Sequence, residues 1–535
     1  MANYIGCFGS KTDKFFKIIS TISTQLNYNR KDKNYCIFYD DNIVIGHSQK
    51  NNSLKIFDGC LSKEESNSEQ IGMQTTISLD NKQVIIYRDL MGSRLVYYMV
   101  FDGSMFFASS IKLLLMLREL DFSFSVDNNA LKQNYFFGYI FEDERTLING
   151  IKVLPPGFCL QYDGKNLTKK IKEKLVFKEI NYTQAQADSL FAEALEYSVK
   201  NISHIQGNNI IFASGGMDSS TLLFLAKQFG VDFEALTFSS EANEIDEYCA
   251  SELTKALGIS HKKLKFSAEE ALYLLPDYIC AFENLELTRG KNNYGGFAYY
   301  LMCRKLQEQG YDCIFPGEGA DELLLGYFWP SLYPCGYVED LLCKAKATGI
   351  YENVRSLLPA DILEDTKKCR QYVHRLDLKI TLPNYHLNSI EHIANHFGLR
   401  SFPVYTTNYL VKTVAQFNTD LLCDGTKTKL LLRRYLKPKL EKYNLEFIVT
   451  RKKAAMPSVI TTQLVDKIAN LAKQAYTNIQ KHPFAETFEY DPVTCLHFDI
   501  FMKYVVLNNK QLDIADEWRQ DIERMAKYNE PIVHW

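Results

Sequence analysis

Phe212-Ala213-Ser214-Gly215-Gly216-Met217-Asp218-Ser219-Ser220-Thr221 is the stretch on which the reading of the fold turns. An apolar run at 209–213 leads into it and predicts a short buried strand. The apolar spacing of 219–229 predicts a helix after it. Two glycines between a strand and a helix let the backbone turn tightly and approach an anion closely. The hydroxyls of Ser214, Ser219 and Ser220, with the free N–H groups of the helix start, are donors suited to phosphate oxygens, and the helix dipole adds attraction for negative charge. Asp218 repels a bare phosphate and makes sense as a ligand for Mg²⁺ carried on the phosphates. This is not the Walker loop, which requires GxxxxGK[ST].

Outward from this loop, helix and strand alternate. Residues 184–200 and 247–257 have helical apolar spacing, and 233–238, 263–266 and 312–315 read as strands. Such alternation predicts a parallel sheet covered by helices. Beyond about residue 330 the chain reads mainly helical, and no motif is assigned after about residue 460. Residues 1–165 are different. Short segments rich in β-branched and aromatic residues (35–39, 43–46, 83–87, 95–100, 105–108) are separated by turns such as Asp40-Asp41-Asn42 and Asp102-Gly103-Ser104, which predicts packed antiparallel sheets. A boundary is expected near Tyr162-Asp163-Gly164-Lys165-Asn166, with a linker to about Thr183. The mixed-charge region 55–82 reads as solvated surface. The fold class is therefore α/β: an N-terminal antiparallel β-rich domain (1–165) and a C-terminal parallel-sheet α/β domain with extra helices (184–535).

Composition narrows the function classes. The 535 residues exceed what one core normally organises. A formal net charge of −3, without long single-sign blocks, gives no reason to expect nucleic acid or an anionic membrane as partner. No run of about 18 apolar residues suits a bilayer, and Met1-Ala2-Asn3-Tyr4-Ile5-Gly6 shows no basic region followed by an apolar stretch. The 13 cysteines contain no CxxC pair, so reduced, mostly buried thiols in a cytoplasmic protein are expected.

A second string, Ile314-Phe315-Pro316-Gly317-Glu318-Gly319-Ala320-Asp321-Glu322, also follows an apolar strand. At the end of a parallel strand it faces the sheet edge where ligands usually bind. Three acids in five residues repel one another and call for a cation. Mg²⁺ bound by Asp218 and Asp321 together is the economical answer.

The Ser214–Ser220 string resembles the pyrophosphate loop of the ATP pyrophosphatase superfamily, whose fold is the adenine-nucleotide α-hydrolase type. Together with Gly317-Glu318-Gly319-Ala320-Asp321-Glu322 and Gly326-Tyr327, it resembles the synthetase domain of class B asparagine synthetases. Asp246-Glu247 with Ala250, Lys429-Leu430-Leu431-Leu432-Arg433 (KxxLR) and Arg451-Lys452-Lys453-Ala454-Ala455-Met456-Pro457 (RxKxxxP) keep that family's order. The resemblance implies ATP and Mg²⁺ as cofactors. It implies ATP or pyrophosphate contacts at Ala213, Ser214, Gly215, Gly216, Asp218, Ser219, Ser220, Ser240, Pro316 and Gly317, and metal contacts at Asp218 and Asp321. Catalytic roles are implied for Glu318 and for Lys453, with Lys452 as the alternative to Lys453.

The front domain resembles the family's class II (Ntn) glutaminase domain at Arg88-Asp89-Leu90-Met91-Gly92-Ser93-Arg94-Leu95-Val96-Tyr97-Tyr98, where Leu95 replaces the family's proline, at Ala108-Ser109-Ser110-Ile111-Lys112, and at Thr146 through Gly157. The family's glutaminases begin Met-Cys-Gly-Ile-x-Gly, and that alignment puts Ala2 at the nucleophile position. Alanine offers no nucleophile. Cys7 falls at an apolar strand position and reads as core. The NGE glutamine-binding string is also missing, Asp58-Gly59-Cys60 being its nearest counterpart, so the domain is expected to be degenerate.

Two branches of the family lack the cysteine. β-Lactam synthetases close a small ring, and lasso-peptide macrolactam cyclases join a peptide's N-terminal amine to an Asp or Glu side chain. The cyclase is the favoured expectation, with a precursor peptide as substrate and a leader peptidase and leader-binding protein as possible pathway partners. The alternative is an ammonia- or amine-dependent enzyme, asparagine synthetase-like or β-lactam synthetase-like, acting on a small acid. A non-catalytic binding subunit is the reading from another class. β-Lactam formation in the family uses a tyrosine–glutamate dyad, and the sequence does not identify a tyrosine partner for Glu318. Tyr327, Phe328, Trp329, Tyr333 and Tyr337 read either as plain core or as the wall of a peptide-sized cavity.

Overall fold

The computed structural model describes residues 4–26, 36–40, 43–47, 55–59, 71–80, 82–142, 144–202, 205–239, 244–285, 295–451, 459–507 and 514–533. The N-terminal domain carries β1 (Tyr4–Gly9), β2 (Cys36–Asp40), β3 (Ile43–His47), β4 (Lys55–Gly59), β5 (Gln74–Asp80), β6 (Gln83–Arg88), β7 (Tyr97–Phe101), β8 (Ser104–Ala108), β9 (Lys152–Val153), β10 (Phe158–Tyr162) and β11 (Leu167–Ile171). They form two antiparallel sheets, in the orders β2-β3-β1-β8-β7-β9 and β11-β10-β6-β5-β4. Side chains alternate across a strand. Tyr4 and Phe8 of β1, with Tyr98 and Phe107, pack with Ile77, Ile86 and Leu160 of the other sheet. Ile5 and Cys7, with Phe106, face the helices and the second domain. The first sheet is thus buried on both faces, which is why its strands read as nearly unbroken apolar runs.

Two expectations change. Region 55–82 contains β4 and β5, paired in register from Lys55–Ser78 to Gly59–Gln74. Ile77 is buried while its neighbours are partly exposed, so the polar half of the alternation hid the strand. The Tyr162–Asn166 turn starts no linker. It is the turn of a hairpin in which Asp163 Oδ1 accepts from the N–H groups of Lys165 and Asn166 at 2.9 and 2.7 Å. It leads into β11, a fully exposed edge strand. The lysines that made 167–171 look like linker are what shields an edge strand from further pairing.

The second domain has one parallel sheet of β12 (Asn209–Phe212), β13 (Glu234–Phe238), β14 (His261–Leu264), β15 (Cys313–Phe315) and β16 (Arg400–Ser401), in the order β14-β13-β12-β15-β16. Helices Gln184–Ile202, Met217–Gln228 and Glu244–Leu257 flank it. β12 is joined through helix Met217–Gln228 to β13 on one side and abuts β15 on the other, so the order reverses there. A crevice at the C-terminal ends of strands at such a reversal is the usual ligand site of open α/β sheets. β16, two polar residues long, carries no pattern that the sequence reading could catch. Helix Thr366–Leu376 continues into a π-helical stretch, Asp377–His386, and then into Leu387–His396. No helix among the described residues is long and apolar enough to cross a membrane.

Candidate active site

Both glycine-bearing loops leave the sheet at that reversal point. β12 and β15 are parallel neighbours, with Ile210 opposite Ile314 and Ile211 opposite Phe315. After β12 the chain turns at Gly215, with φ +67°. A Cβ there would lie 2.1 Å from the Asp246 carbonyl oxygen, so no larger residue fits this close approach. Gly216 caps helix Met217–Gln228 without a side-chain cap, leaving its first N–H groups available to an anion. Ser219 Oγ accepts from Ser214 N at 3.1 Å and lies 3.1 Å from Ser214 Oγ. The buried Ser220 Oγ has no partner among the described residues. A glycine turn, an uncapped helix start and an orphaned hydroxyl fit a phosphate chain.

Asp218 and Asp321 converge on a single cation. Lys429 Nζ lies 2.5 Å from Asp218 Oδ1 and 2.7 Å from Asp321 Oδ1, and the lysine is 1% exposed. Lys429 stands in the left-handed region (φ +54°) just before helix Leu430–Glu441. Gly326 permits the contact, because a Cβ there would lie 2.1 Å from both Asp321 Oδ1 and Lys429 Cε. The cation that the acids call for is thus an ammonium in this state. Two converging carboxylates beside a phosphate cradle still fit Mg²⁺, which characteristically takes one or two protein carboxylates plus substrate phosphates. Among the described residues no group of three or more His, Cys, Asp or Glu is placed to hold a metal unaided.

The other two acids of the loop have separate partners. Glu318 accepts a hydrogen bond from the Tyr299 hydroxyl of helix Gly295–Glu308. Burial raises Glu318 to about 7, and the Tyr299 bond opposes that rise. Glu322 Oε1 accepts from Tyr327 OH at 2.6 Å and lies 3.2 Å from His386 Nε2. Asp377, at the other end of the same π-helical stretch, is held well above the usual carboxylate range, first by burial and then by the charge of Glu322. A π-helical turn often marks a functional position, and this one brings both of its end residues to the acidic loop.

Arg451 ties the phosphate loop to the Asp246-Glu247 pair. It donates to the Gly215 carbonyl at 2.8 Å and pairs with Asp246 at 2.6 Å. Glu247 accepts from Ser239 Oγ and from Lys263 Nζ.

Of the residues expected from sequence, Ala213 through Ser220, Pro316, Gly317, Glu318 and Asp321 lie at the ends of the two adjacent strands. Lys453, its alternative Lys452, Ser240 and Ala2 lie outside the described residues. Cys7 is fully buried, as expected. The expectation of plain core for the aromatics after Gly326 fails at three positions, since Phe328, Trp329 and Tyr333 are exposed. Lys429 lies in the KxxLR motif, which by itself assigns it no role, and neither Tyr299 nor His386 stands out in the sequence. Tyr299 is one aromatic among several on an apolar helix. His386 becomes legible only when the π-helical turn carries it to Glu322.

The asparagine synthase family matches residues 190–491, and a glutamine amidotransferase domain matches 66–173. Asparagine synthetase [glutamine-hydrolyzing] 1 of Bacillus subtilis is 28% identical over 274 residues, 50% of this chain and 41% of that one. Asparagine synthetase B [glutamine-hydrolyzing] of Escherichia coli is 29% identical over 152 residues, 26% of each. The chain spans less than half the length of these curated relatives. A solved NH3-dependent NAD synthetase from Campylobacter jejuni is matched over 39% of this chain and 93% of that chain, at 17% identity and a TM-score of 0.20. The asparagine synthase match alone covers more than half of the chain and takes in the phosphate loop, the acidic loop and Lys429 together, so this chain belongs to the asparagine synthase family.

Proposed function

We propose that the chain is an ATP-dependent amide ligase that activates a carboxylate and passes it to an amine. The convergence of Asp218 and Asp321 beside the Ser214–Ser220 cradle carries this reading. That cradle would take the phosphates of ATP. Asp218 and Asp321 would hold Mg²⁺, which would supply charge neutralisation on the phosphate oxygens. For it to bind there, Lys429 must give up at least one of its two carboxylates and is then free to pair with phosphate.

The substrate carboxylate attacks the α-phosphorus of ATP and displaces pyrophosphate. The amine then attacks the acyl carbon, the bond to AMP breaks, and the amine's proton goes to Glu318. A carboxylate lifted to about 7 is matched to that task near neutral pH. Lys453 is assigned to stabilise charge in both steps, by its place in the RxKxxxP stretch.

The finer reading is a lasso-peptide macrolactam cyclase, in which one precursor peptide supplies both the Asp or Glu carboxylate and the N-terminal amine. Ala2, at the position of the family's glutaminase cysteine, favours an amine that comes with the substrate. Folding one peptide so that its amine and its acyl group meet supplies proximity. A leader peptidase and a leader-binding protein are the partners this reading proposes, and the cytoplasm its location. The second reading is an ammonia- or amine-dependent synthetase acting on a small acid. It is favoured by Glu318, which stands where amide-forming asparagine synthetases carry a glutamate.

Release of AMP and pyrophosphate, measured with a precursor peptide encoded beside the gene and separately with aspartate plus ammonia, tests the pair. Turnover with aspartate and ammonia but not with the peptide would sink the cyclase. Turnover with neither would leave the binding-subunit reading.

A further inference from the structure

The N-terminal domain meets the second domain through several side chains, among them Tyr97 at His392, Lys112 at the Cys280 carbonyl and Arg94. Arg88-Asp89-Leu90-Met91-Gly92-Ser93-Arg94 forms a loop fixed from within. Asp89 Oδ1 accepts from Met91 N, Ser93 N and Ser93 Oγ at 3.0–3.1 Å, and Oδ2 accepts from Arg94 N at 3.2 Å. The buried Arg88 guanidinium donates to the carbonyls of Arg94, Gly92 and Leu154 at 2.6–2.8 Å. None of these bonds leaves the N-terminal domain. Their joint effect is to hold Arg94 in one position, pointing across the boundary.

There Arg94 contacts the second domain. NH1 pairs with Glu391 at 2.6 Å, with both side chains almost fully buried, and NH2 donates to the Ser401 carbonyl at 2.9 Å. The guanidinium also lies over the Phe402 ring, 5.5 Å from its centroid. Each contact starts a short path to the candidate site. Ser401 belongs to β16, which is paired with β15, and Phe402 N donates to the Ile314 carbonyl at 3.0 Å. Four residues on, Tyr405 OH donates to the Asp218 carbonyl at 3.0 Å. Glu391 lies on helix Leu387–His396, which continues directly from the π-helical stretch that ends at His386, beside Glu322.

We propose that Arg94 is a positioning residue for the nucleotide site. It pins β16 and helix Leu387–His396, so that Tyr405 and His386 hold the Asp218 and Glu322 segments in register. This gives the retained Arg88–Arg94 loop a function that needs no glutaminase chemistry. The proposal rests on the reading of the site as an ATP site. A fully buried, bidentate guanidinium whose partners lie one helix or one short segment from the reacting groups supports the site from outside it, as outer contacts do where they fix the groups that touch a ligand.

The test is Mg·ATP binding by calorimetry on the full chain, with thermal midpoints recorded in parallel. Replacing both members of a buried ion pair by apolar residues of similar volume often leaves folding intact. The Arg94→Met/Glu391→Met double variant is therefore expected to keep its midpoint within a few degrees and to bind Mg·ATP about tenfold more weakly. Arg94→Lys keeps a cation opposite Glu391 but loses the second arm to Ser401, and is expected to show a smaller loss. Arg94→Lys combined with Tyr405→Phe is expected to lose less than the product of the two single losses, because both act on the same path. A purely structural role predicts that the two losses multiply.

Wild-type affinity in the Met/Met variant overturns the proposal. If that variant does not fold, wild-type affinity in Arg94→Lys overturns it instead. A wild-type chain that binds no Mg·ATP removes the ATP-site reading and the proposal with it, whereas wild-type binding with unaffected variants counts against Arg94 alone.

Discussion

The Glu318 carboxylate accepts a hydrogen bond from the Tyr299 hydroxyl, while its Oε2 is closed off from solvent without a partner among the described residues. Burial lifts Glu318 from an ordinary 4.5 to about 7, and the tyrosine bond opposes that rise by favouring the ionised form. A proton acceptor works only when ionised, so amide formation is expected to fall away as pH drops below about 7. Tyr299→Phe removes the bond, raises Glu318 further and moves this acid limb to higher pH by about one unit, the equivalent of one charge-assisted hydrogen bond. A pH–rate profile that does not move in Tyr299→Phe would count against Glu318 as the base. The same group affects stability with the opposite sense. Its folded value lies above its unfolded value, so its contribution is fully present below about 4.5 and is lost as pH rises through about 7. Glu318→Gln is therefore expected to raise the thermal midpoint relative to wild type more at pH 8 than at pH 5.

Lys429 neutralises two carboxylates from two different strand ends. Lys429→Met leaves Asp218 and Asp321 facing each other. Breaking a fully buried pair costs about 3–5 kcal/mol. These carboxylates keep some solvent contact, so a loss of about 2–3 kcal/mol is expected. A divalent cation can replace the missing charge, so millimolar Mg²⁺ without nucleotide should recover part of the variant's stability and shift the wild type less. Calorimetric melts with and without Mg²⁺ check both parts. An equal Mg²⁺ effect on the two proteins would show that the carboxylates do not form the metal position.

The phosphate loop and the acidic loop were legible because their chemistry is local. A strand, two glycines, hydroxyls and a helix start lie within ten residues, and the parallel direction shared by β12 and β15 follows from strand–helix alternation. Groups assembled from distant segments were not legible. Tyr299 meets Glu318 across two elements, and His386 meets Glu322 only through a π-helical turn that shifts its face away from ordinary helical spacing. β5 and β11 escaped for another reason. β5 alternates a buried Ile77 with partly exposed polar neighbours, and β11 is exposed along its length with Thr-Lys-Lys at its centre, so neither reads as an apolar run. The Arg94–Glu391 pair joins residues about 300 apart, and no local pattern could announce it.

Arg451 holds Asp246 and the Gly215 carbonyl at once. Arg451→Gln is expected to weaken Mg·ATP binding about five- to tenfold, the size of one partly shielded charge-assisted contact of about 1–1.5 kcal/mol. Asp246→Asn should do nearly the same. If both act by holding the phosphate loop, the double variant loses little more than either single one. Fully additive losses in binding would show that the two side chains act independently.

Gly215 and Gly230 share a φ of +67° but not their surroundings. At Gly230 an added Cβ would meet nothing within 4 Å, whereas at Gly215 it would lie 2.1 Å from the Asp246 carbonyl oxygen. Gly230→Ala therefore costs only the left-handed backbone penalty, about 1 kcal/mol, and should leave Mg·ATP binding unchanged. Gly215→Ala adds a clash with backbone that cannot turn aside as a side chain could. Either the loop or the start of helix Glu244–Leu257 must move. Arg451 bridges the same two segments, so its two contacts cannot both survive that movement. Mg·ATP binding is expected to fall more than tenfold (about 1.4 kcal/mol or more) in Gly215→Ala. Because the two variants share the backbone term, the difference between them isolates the close approach. Equal binding by Gly215→Ala and Gly230→Ala would mean that the phosphates do not rest on this turn.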